Sequence, residues 1–225
     1  MKILPSIPYF AYFLLIGCVN TEGTLDIRGK VLDESTKEYI PNRKVIIKGL
    51  VYSDSKLTPT DVGQFHTDSS GLFSYTMKKT KGAYSYHFIF TGDSAYAFST
   101  QEIFLTDLET NSKYLSFALS KLTNFTIKIE RCSKTPLFDT LYVSWKTNGL
   151  DGTTICPHKI TNYGISPDIE FRWIGGNVKS VIETKTLANK KTILCWELFR
   201  NGKKKEISDT VYCERGRNNT FSFKY

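Results

Sequence analysis

Apolar and polar residues alternate with a period of two over most of the chain. Leu25, Ile27 and Val31 share one parity, and charged residues occupy most of the positions between them. Residues 83–90 repeat the pattern with aromatic side chains at every second position. A period of two is typical of half-buried β-strands, and no window shows the 3.6-residue period of an amphipathic helix. The pattern therefore predicts an all-β protein.

Turn signals divide this pattern into two groups of strands. We count roughly seven strands in each half of the chain, the number of an immunoglobulin-like sandwich. Ser120-Lys121 forms a tight boundary between them. A chain of 225 residues suits two domains of about 100 residues better than one. We therefore predict two antiparallel β-sandwiches of immunoglobulin or transthyretin type, one over residues 25–120 and one over 121–225.

The first residues carry a short apolar run after Lys2. The run covers residues 9–16, whereas a membrane-spanning helix needs about 20 apolar residues. It fits the apolar core of a secretory signal.

The end of this run, Leu15-Ile16-Gly17-Cys18, resembles a bacterial lipobox. The resemblance implies a lipoprotein signal peptide over residues 1–17, lipid attached to the Cys18 thiol, and a lipidated tether over residues 18–24. Several acyl chains would hold the protein stably in the membrane. We therefore expect a lipid-anchored protein of the bacterial cell envelope, at the outer membrane. The alternatives are a soluble secreted protein with an incidental cysteine, or an N-terminal strand.

Three separated pieces of the first half resemble the carboxypeptidase regulatory-like domain. They are residues 27–33, residues 40–45 with a proline-bearing turn, and residues 67–73, a hairpin whose turn contains Asp68 and Gly71. The resemblance implies a transthyretin-like sandwich over Leu25 to Leu119 and no catalytic residue within it. We expect Gly71 to adopt a left-handed conformation that closes the hairpin. Residues 50–63 are more polar than the family pattern and predict an inserted loop or a contact surface.

The five cysteines suit an oxidising compartment. With Cys18 assigned to lipid, an even number remains, which permits three pairings that the sequence does not distinguish. These disulfide candidates are Cys132, Cys156, Cys195 and Cys213. Cys195 also fits a buried small apolar residue, because it lies within an apolar run.

Candidate chemistry is sparse. His66, His87 and His158 lie in no metal-binding motif, and we assign neither a metal nor a cofactor. Cys156 and His158 could form a thiol–imidazole pair, although a structural loop explains them more simply. Asp61 and Asp93 could line a calcium loop, although such loops are usually turns. We therefore predict no enzymatic activity.

The tryptophans and the net charge bear on partners. Trp145, Trp173 and Trp196 could form a sugar-stacking platform, but each lies in an alternating strand, which favours core packing. The formal charge is +8, yet basic residues are scattered, and the longest run, Lys203 to Lys205, marks a solvated hairpin tip rather than a nucleic-acid site.

We therefore predict a non-catalytic, lipid-anchored envelope protein with a binding or scaffolding role towards another envelope protein. The alternative is a carbohydrate-binding accessory lipoprotein of a surface glycan-uptake system.

Overall fold

A computed structural model describes the chain except for its first residues and some short internal segments. The described residues are 23–53, 55–110, 114–132, 139–148, 150–152, 158–169 and 171–225. They form sixteen strands and one short helix: β1 (Thr24–Asp33), β2 (Lys44–Ser53), β3 (Lys56–His66), β4 (Leu72–Lys78), β5 (Ala83–Phe90), β6 (Ser99–Phe104), α1 (Leu105–Thr110), β7 (Tyr114–Leu119), β8 (Leu122–Glu130), β9 (Thr140–Thr147), β10 (Leu150–Asp151), β11 (Lys159–Asn162), β12 (Arg172–Ile174), β13 (Lys179–Leu187), β14 (Lys190–Arg200), β15 (Lys203–Cys213) and β16 (Asn219–Lys224). The prediction of an all-β fold is confirmed. Within these residues, no helix has the length and apolar character needed to cross a membrane.

The first seven strands form a sandwich of two sheets, ordered β4-β1-β7 and β3-β2-β5-β6. Phe117 of β7 lies at the centre of the core, with its ring centroid 5.0 Å from those of Phe88 and Phe90. The ring of Phe73 lies 5.9 Å away on its other side. These residues come from both sheets and are almost fully buried, so aromatic packing holds the sheets together.

The later strands form a second sandwich, with sheets ordered β11-β13-β8-β16 and β10-β9-β14-β15, and β12 paired to β9. Trp196 of β14 stacks on Phe223 of β16 with ring centroids 4.5 Å apart. Trp145 meets Phe171 edge-on at 4.9 Å. The Trp196–Phe223 contact joins the two sheets across the core, whereas Phe171 lies beside β9, the strand of Trp145, and its carbonyl accepts from the N–H of Val143 at 3.0 Å. Among the described strands, none of one half is in a sheet with a strand of the other. Independent folding of residues 25–120 and 121–225 stays a prediction.

Each sandwich also contains one parallel pair of strands, which the sequence analysis did not predict. β1 pairs in parallel with β7, and β8 pairs in parallel with β16. Parallel neighbours need a long connection, and here the connection is the rest of the sandwich. The first and last strands of each half therefore lie side by side and hold its two ends together.

Two local features differ from the sequence-based expectation. Residues 50–63, predicted as an inserted loop or a contact surface, are not a loop but mostly extend the β2–β3 hairpin, in which Lys48 lies opposite Asp61, and a contact surface there stays a prediction. Most of β3 is exposed on both faces, so the chain there carries no alternating pattern. The helix α1, which begins at Leu105 directly after β6, was not predicted either. This helix has six residues, too few to show a helical period.

Gly71 adopts the predicted left-handed conformation, with φ of 73°. Its N–H donates to the Asp68 carbonyl at 3.1 Å, and the Asp68 carboxylate accepts from the N–H of Leu72 at 2.9 Å. The turn between β3 and β4 is thus closed by backbone and side chain together.

A buried ionic cluster closes one end of the second sandwich. The carboxylate of Asp139 is fully buried and accepts from Arg131 Nε at 2.9 Å and from Arg200 Nη2 at 2.6 Å. Arg131 also donates to the Gly176 carbonyl at 3.0 Å. Burial alone would raise the pKa of Asp139, but the hydrogen bonds from Arg200 and Arg131 outweigh it and hold the pKa below its usual value. The carboxylate therefore stays charged and ties β8, β9 and β14 together.

Three buried threonine hydroxyls form a ring near the other end. Thr147 Oγ1 lies 2.6 Å from Thr186 Oγ1 and 2.8 Å from Thr192 Oγ1, and the last two are 2.8 Å apart. Thr186 belongs to one sheet of the sandwich, and the other two belong to the facing sheet. Because each hydroxyl can donate once and accept once around the ring, the three satisfy one another within the core.

Candidate functional site

The junction between the sandwiches is built first from main-chain contacts. The N–H of Ala97 donates to the Ser120 carbonyl at 3.0 Å, and the N–H of Leu122 donates to the Ala95 carbonyl at 2.7 Å. The side chains of Ala97, Leu122 and Leu187 bury one another as a small apolar cluster. The loop after β5 is therefore joined to the start of the second sandwich.

Ion pairs add a second set of contacts across the junction. Glu34 Oε1 lies 2.8 Å from Lys190 Nζ, and Asp33 Oδ2 lies 3.4 Å from Arg215 Nη1. The hydroxyl of Tyr96 donates to the same Asp33 oxygen at 3.3 Å. Each acidic residue belongs to the end of β1 or the turn after it, and each basic partner belongs to the second sandwich.

The electrostatics keep both junction carboxylates charged. The Lys190 ammonium and the hydroxyl of Ser120 lower the pKa of Glu34. Burial alone would raise the pKa of Asp33, but hydrogen bonds from local N–H groups and the charge of Arg215 outweigh it, and the pKa is lowered. Both groups are therefore ionised at neutral pH, where their ion pairs are complete.

Tyr96 fixes the loop after β5 in place. The guanidinium of Arg43 lies 5.0 Å from its ring centroid, and the ammonium of Lys121 lies 5.6 Å from it. Both distances are within the range of cation–π attraction. Arg43 also pairs with Asp93 at 2.9 Å, and Asp93 accepts from the backbone N–H groups of Ala95 and Tyr96 at 2.7 Å. The loop is thus held by its own turn and by neighbours on both sides.

A groove of about 1390 Å³ lies where this loop approaches the outer face of the β11-β13-β8-β16 sheet. Its floor is the outward-facing side of β8, β13 and β16. In β8 the alternation points Phe125 and Ile127 into the core, so Asn124, Thr126 and Lys128 face outward. Because residues of both sandwiches line the groove, its shape depends on the junction.

The far end of the floor is shaped by a tight loop before β16. Asn219 Nδ2 donates to the carbonyls of Glu214 and Arg217 at 3.0 and 3.1 Å, which closes the loop. Asn218 then lies beside β8, where its Oδ1 accepts from Asn124 Nδ2 at 3.1 Å. Two amides separated by 94 positions in the chain therefore meet on the surface of the groove.

Exposed aromatic side chains line the groove as well. Phe98, after the loop, is 56% exposed, and Tyr163, after β11, is 66% exposed. Gly92 allows the loop to fold back tightly, because a Cβ there would lie 2.8 Å from the Phe98 nitrogen.

The charges in the groove are unequally neutralised. Each of its two acidic side chains has a cationic partner: Asp93 pairs with Arg43 at 2.9 Å, and Glu183 lies 3.9 Å from Lys159. Lys185 donates to the Ser94 carbonyl and has no acidic partner among the described residues. Lys128 is exposed and forms no ion pair with any residue that the structure describes. The groove therefore carries an excess of positive charge.

Cys18 and Cys156 lie outside the described residues, so the lipid anchor and any disulfide to Cys156 stay predictions. Cys132, Cys195 and Cys213 form no disulfide with one another. Cys195 lies opposite Ser208 and Cys213 opposite Lys190 in the β14–β15 ladder, a separation of roughly 17 Å by strand geometry. A disulfide needs Cα atoms within about 7 Å, so these two cannot bond to each other. Burial raises the pKa of the Cys213 thiol.

The other candidate residues do not converge on a reactive centre. His158 packs against Phe171 at 4.7 Å between ring centroids, and its hypothetical thiol partner is not described. Asp61, proposed with Asp93 for calcium, lies 3.3 Å from Lys48, so each carboxylate has a cationic side chain as its partner. Across the described ranges, no group of three metal-ligating side chains comes together.

The three tryptophans lie in the core, as the favoured interpretation predicted. Trp145, Trp173 and Trp196 are between 0% and 8% exposed and form no sugar-stacking platform. The aromatic surface of the groove is Phe98 and Tyr163, which sequence reasoning did not single out. The strand alternation could have marked Asn124 and Lys128 as outward-facing, but nothing local indicated that Asn218 lies beside them.

Comparison with known proteins adds a limited likeness. No family model matches the chain, and no curated protein matches it. Among solved structures, the shaft pilin SpaA from Lactobacillus rhamnosus GG is 9% identical with a TM-score of 0.34, over 90% of this chain and 97% of that one. The streptococcal ancillary pilin is 8% identical with a TM-score of 0.34, over 89% and 62%. BcpA, the major pilin subunit of Bacillus cereus, is 9% identical with a TM-score of 0.27, over 85% and 69%. These scores are too low to carry an argument about function, and the resemblance to the carboxypeptidase regulatory-like domain stays a prediction.

Proposed function

We propose that this chain is a non-catalytic binding protein, anchored to the bacterial cell envelope through lipid on Cys18, that holds its ligand in the groove between the two sandwiches. The observation that carries the proposal is the groove itself, an open site of about 1390 Å³ lined by both sandwiches. Pockets for compact small molecules are usually about 300–1,000 Å³, so the groove suits an extended ligand.

The junction supports this role, because a binding site between two bodies needs a fixed geometry. The main-chain bonds at Ser120 and Leu122 and the ion pair of Glu34 with Lys190 restrain the sandwiches relative to each other. A groove with restrained walls binds with a smaller loss of conformational freedom than one that must form on binding.

The lining favours binding over catalysis. The described lining residues include neither cysteine nor histidine, the usual nucleophiles and bases of covalent catalysis. Its two carboxylates, Asp93 and Glu183, face cationic partners. The chemistry that remains is hydrogen bonding, charge attraction and aromatic contact.

Carbohydrate binding is the second candidate function, and the polar floor favours it. Asn124, Thr126 and Thr220 offer amides and hydroxyls to a ligand that is itself rich in hydroxyls. A surface that scaffolds a protein partner would more often present an apolar patch at its centre.

The anchor is tested by Cys18→Ala. Without the thiol no lipid can be attached, so the precursor should stay unprocessed, whereas Cys132→Ala should be processed normally. A Cys18→Ala protein that matures and stays with membranes after a salt wash would disprove lipid attachment.

The groove is tested by filling it. Tagged protein isolated from detergent-solubilised envelopes should retain a defined protein or glycan, and Thr220→Trp should lose it because the indole occupies the floor. Thr210→Trp is the matched control, since Thr210 is also an exposed threonine on an edge strand, but in the opposite sheet. If both variants retain the same material as the parent, the groove is not the binding site.

A further inference from the structure

We propose that the ligand of the groove is an anionic glycan, a chain of sugars that carry carboxylate or sulfate groups. This inference rests on the binding role proposed above and adds the chemical class of the ligand. Three features carry it: a floor rich in hydroxyls and amides, two exposed aromatic rings, and unneutralised lysines.

The floor distinguishes a glycan from a polypeptide. Among the described lining residues, Val181 is the one aliphatic side chain, so the floor itself offers an apolar anchor from a protein partner little surface to bury against. The floor is also the face of a sheet, in which β8 is already paired on both sides, with β13 and with β16. A peptide strand could therefore not add to the sheet across the floor, but only at its outer edge along β16.

The outward side chains instead suit a ligand with many hydroxyls. Asn124 and Asn218 hydrogen-bond to each other at 3.1 Å, which orients two amides at the surface. Each amide still has donor and acceptor capacity beyond that one bond. Thr126 and Thr220 lie side by side in the β8–β16 ladder and add two hydroxyls next to these amides.

The aromatic side chains add contacts of another kind. Phe98 is 56% exposed and Tyr163 is 66% exposed, and both line the groove. An exposed ring next to polar groups combines apolar contact with orientation of the ligand, as in most ligand sites. The apolar faces of sugar rings can pack on such side chains while their hydroxyls face the floor.

The charges select an anionic chain over a neutral one. The carboxylates of Asp93 and Glu183 face cationic side chains, whereas the ammonium groups of Lys128 and Lys185 have no acidic partner among the described residues. In the β8–β13 ladder Lys185 lies opposite Asn124, four positions from Lys128, so the ammonium-bearing residues are roughly 14 Å apart along the floor. Successive acidic groups of one extended chain could contact both.

Isothermal titration calorimetry with defined probes tests the proposal. Tetragalacturonate and a chondroitin sulfate tetrasaccharide should bind the full chain, with the first reporting carboxylate alone and the second adding sulfate. Maltotetraose, a neutral sugar chain of the same length, and tetraglutamate, which carries carboxylates on a peptide, should each bind at least about tenfold more weakly, the value of one charge-assisted hydrogen bond. Raising the salt concentration should weaken the acidic sugars further.

Matched variants locate the charge that matters. Lys128→Gln should weaken tetragalacturonate binding about tenfold, while Lys128→Arg keeps the charge and should retain binding. Lys203→Gln removes the same charge from the tip of the β14–β15 hairpin and should leave the affinity unchanged. Since Lys128 and Lys203 are both exposed, these variants should all fold.

Several results would overturn the proposal. Equal affinity for maltotetraose would show that the acidic groups are not recognised. Equal affinity for tetraglutamate would show that the sugar is not recognised. An equal loss of affinity in Lys128→Gln and Lys203→Gln would show that only the net charge of the protein matters. If the acidic sugars fail while Thr220→Trp still loses envelope material, the ligand is of another class and the binding role stands. If Thr220→Trp loses nothing, both proposals fall.

Discussion

Gly71 gives the sharpest test of how the first sandwich is closed, because substitution there meets two separate obstacles. The residue has φ of 73°, a conformation that costs an L-residue about 1–2 kcal/mol. An added Cβ would also lie 2.7 Å from the Cβ of Tyr39 and 2.9 Å from the nitrogen of Ile40. The second contact is with backbone, so rotating a side chain cannot relieve it.

The two costs add to a measurable loss. Forcing an extra carbon into a packed site costs about 1–3 kcal/mol, so Gly71→Ala should lower the free energy of unfolding by about 2–5 kcal/mol in total. For a chain of this size each kcal/mol shifts the melting midpoint by roughly 2–4 °C. We therefore expect a decrease of at least about 4 °C, and a larger one for Gly71→Val.

Gly202 separates the two obstacles. Its φ is 72°, almost the same, but an added Cβ there would have no atom within 4 Å. Gly202→Ala should therefore lose only the conformational term of about 1–2 kcal/mol. Urea denaturation followed by circular dichroism would measure both variants. Equal losses would show that the close approach of residues 39 and 40 to the turn is not real, and a silent Gly71→Ala would refute the turn itself.

Three further predictions concern buried or paired polar groups. Asp139→Asn should cost about 3–5 kcal/mol by urea denaturation, because it removes the buried carboxylate charge that pairs with Arg131 and Arg200. A loss under about 1 kcal/mol would show that this buried charge does not stabilise the fold. Thr186→Val should cost about 1–3 kcal/mol by leaving a partner hydroxyl unsatisfied, whereas valine at all three ring positions should be nearly neutral, and additive losses would contradict the ring. The lowered pKa of Glu34 means that its contribution is present above its unfolded-state pKa and is lost on acidification. The melting temperature should therefore decrease once the pH is lowered below about 4, and it should decrease less steeply in Glu34→Gln. Identical plots of melting temperature against pH for the two proteins would refute the role of this ion pair.

The sequence predicted the core well because alternation records burial directly. Leu25, Ile27 and Val31, which share one parity in the alternating pattern, are all buried, as are the inward residues of β8. The prediction failed where burial does not alternate, as in β3, and where an element is too short to repeat, as in α1. The parallel strand pairs also left no local signal, because pairing between the ends of a sandwich is decided by its whole topology.

The groove was beyond prediction for a related reason. Lys128 could be placed on an outward face from the alternation of β8, but its neighbours in the groove come from distant parts of the chain. Asn218 is brought to the groove by a loop that Asn219 closes, and Phe98 is brought there by a loop that Tyr96 holds in place. Each is an ordinary loop residue in sequence, and only the assembled sandwiches give them a common site.

The most direct test of the central claim is to map where a ligand touches the protein. Amide chemical shifts of the isotopically labelled chain should be followed by NMR while tetragalacturonate is added. We predict changes at Asn124, Lys128 and Thr220 and in the loop before Phe98, with none at the β14–β15 hairpin tip. Changes confined to Lys203–Lys205, or spread evenly over the basic surface, would contradict the assignment of the groove as the binding site.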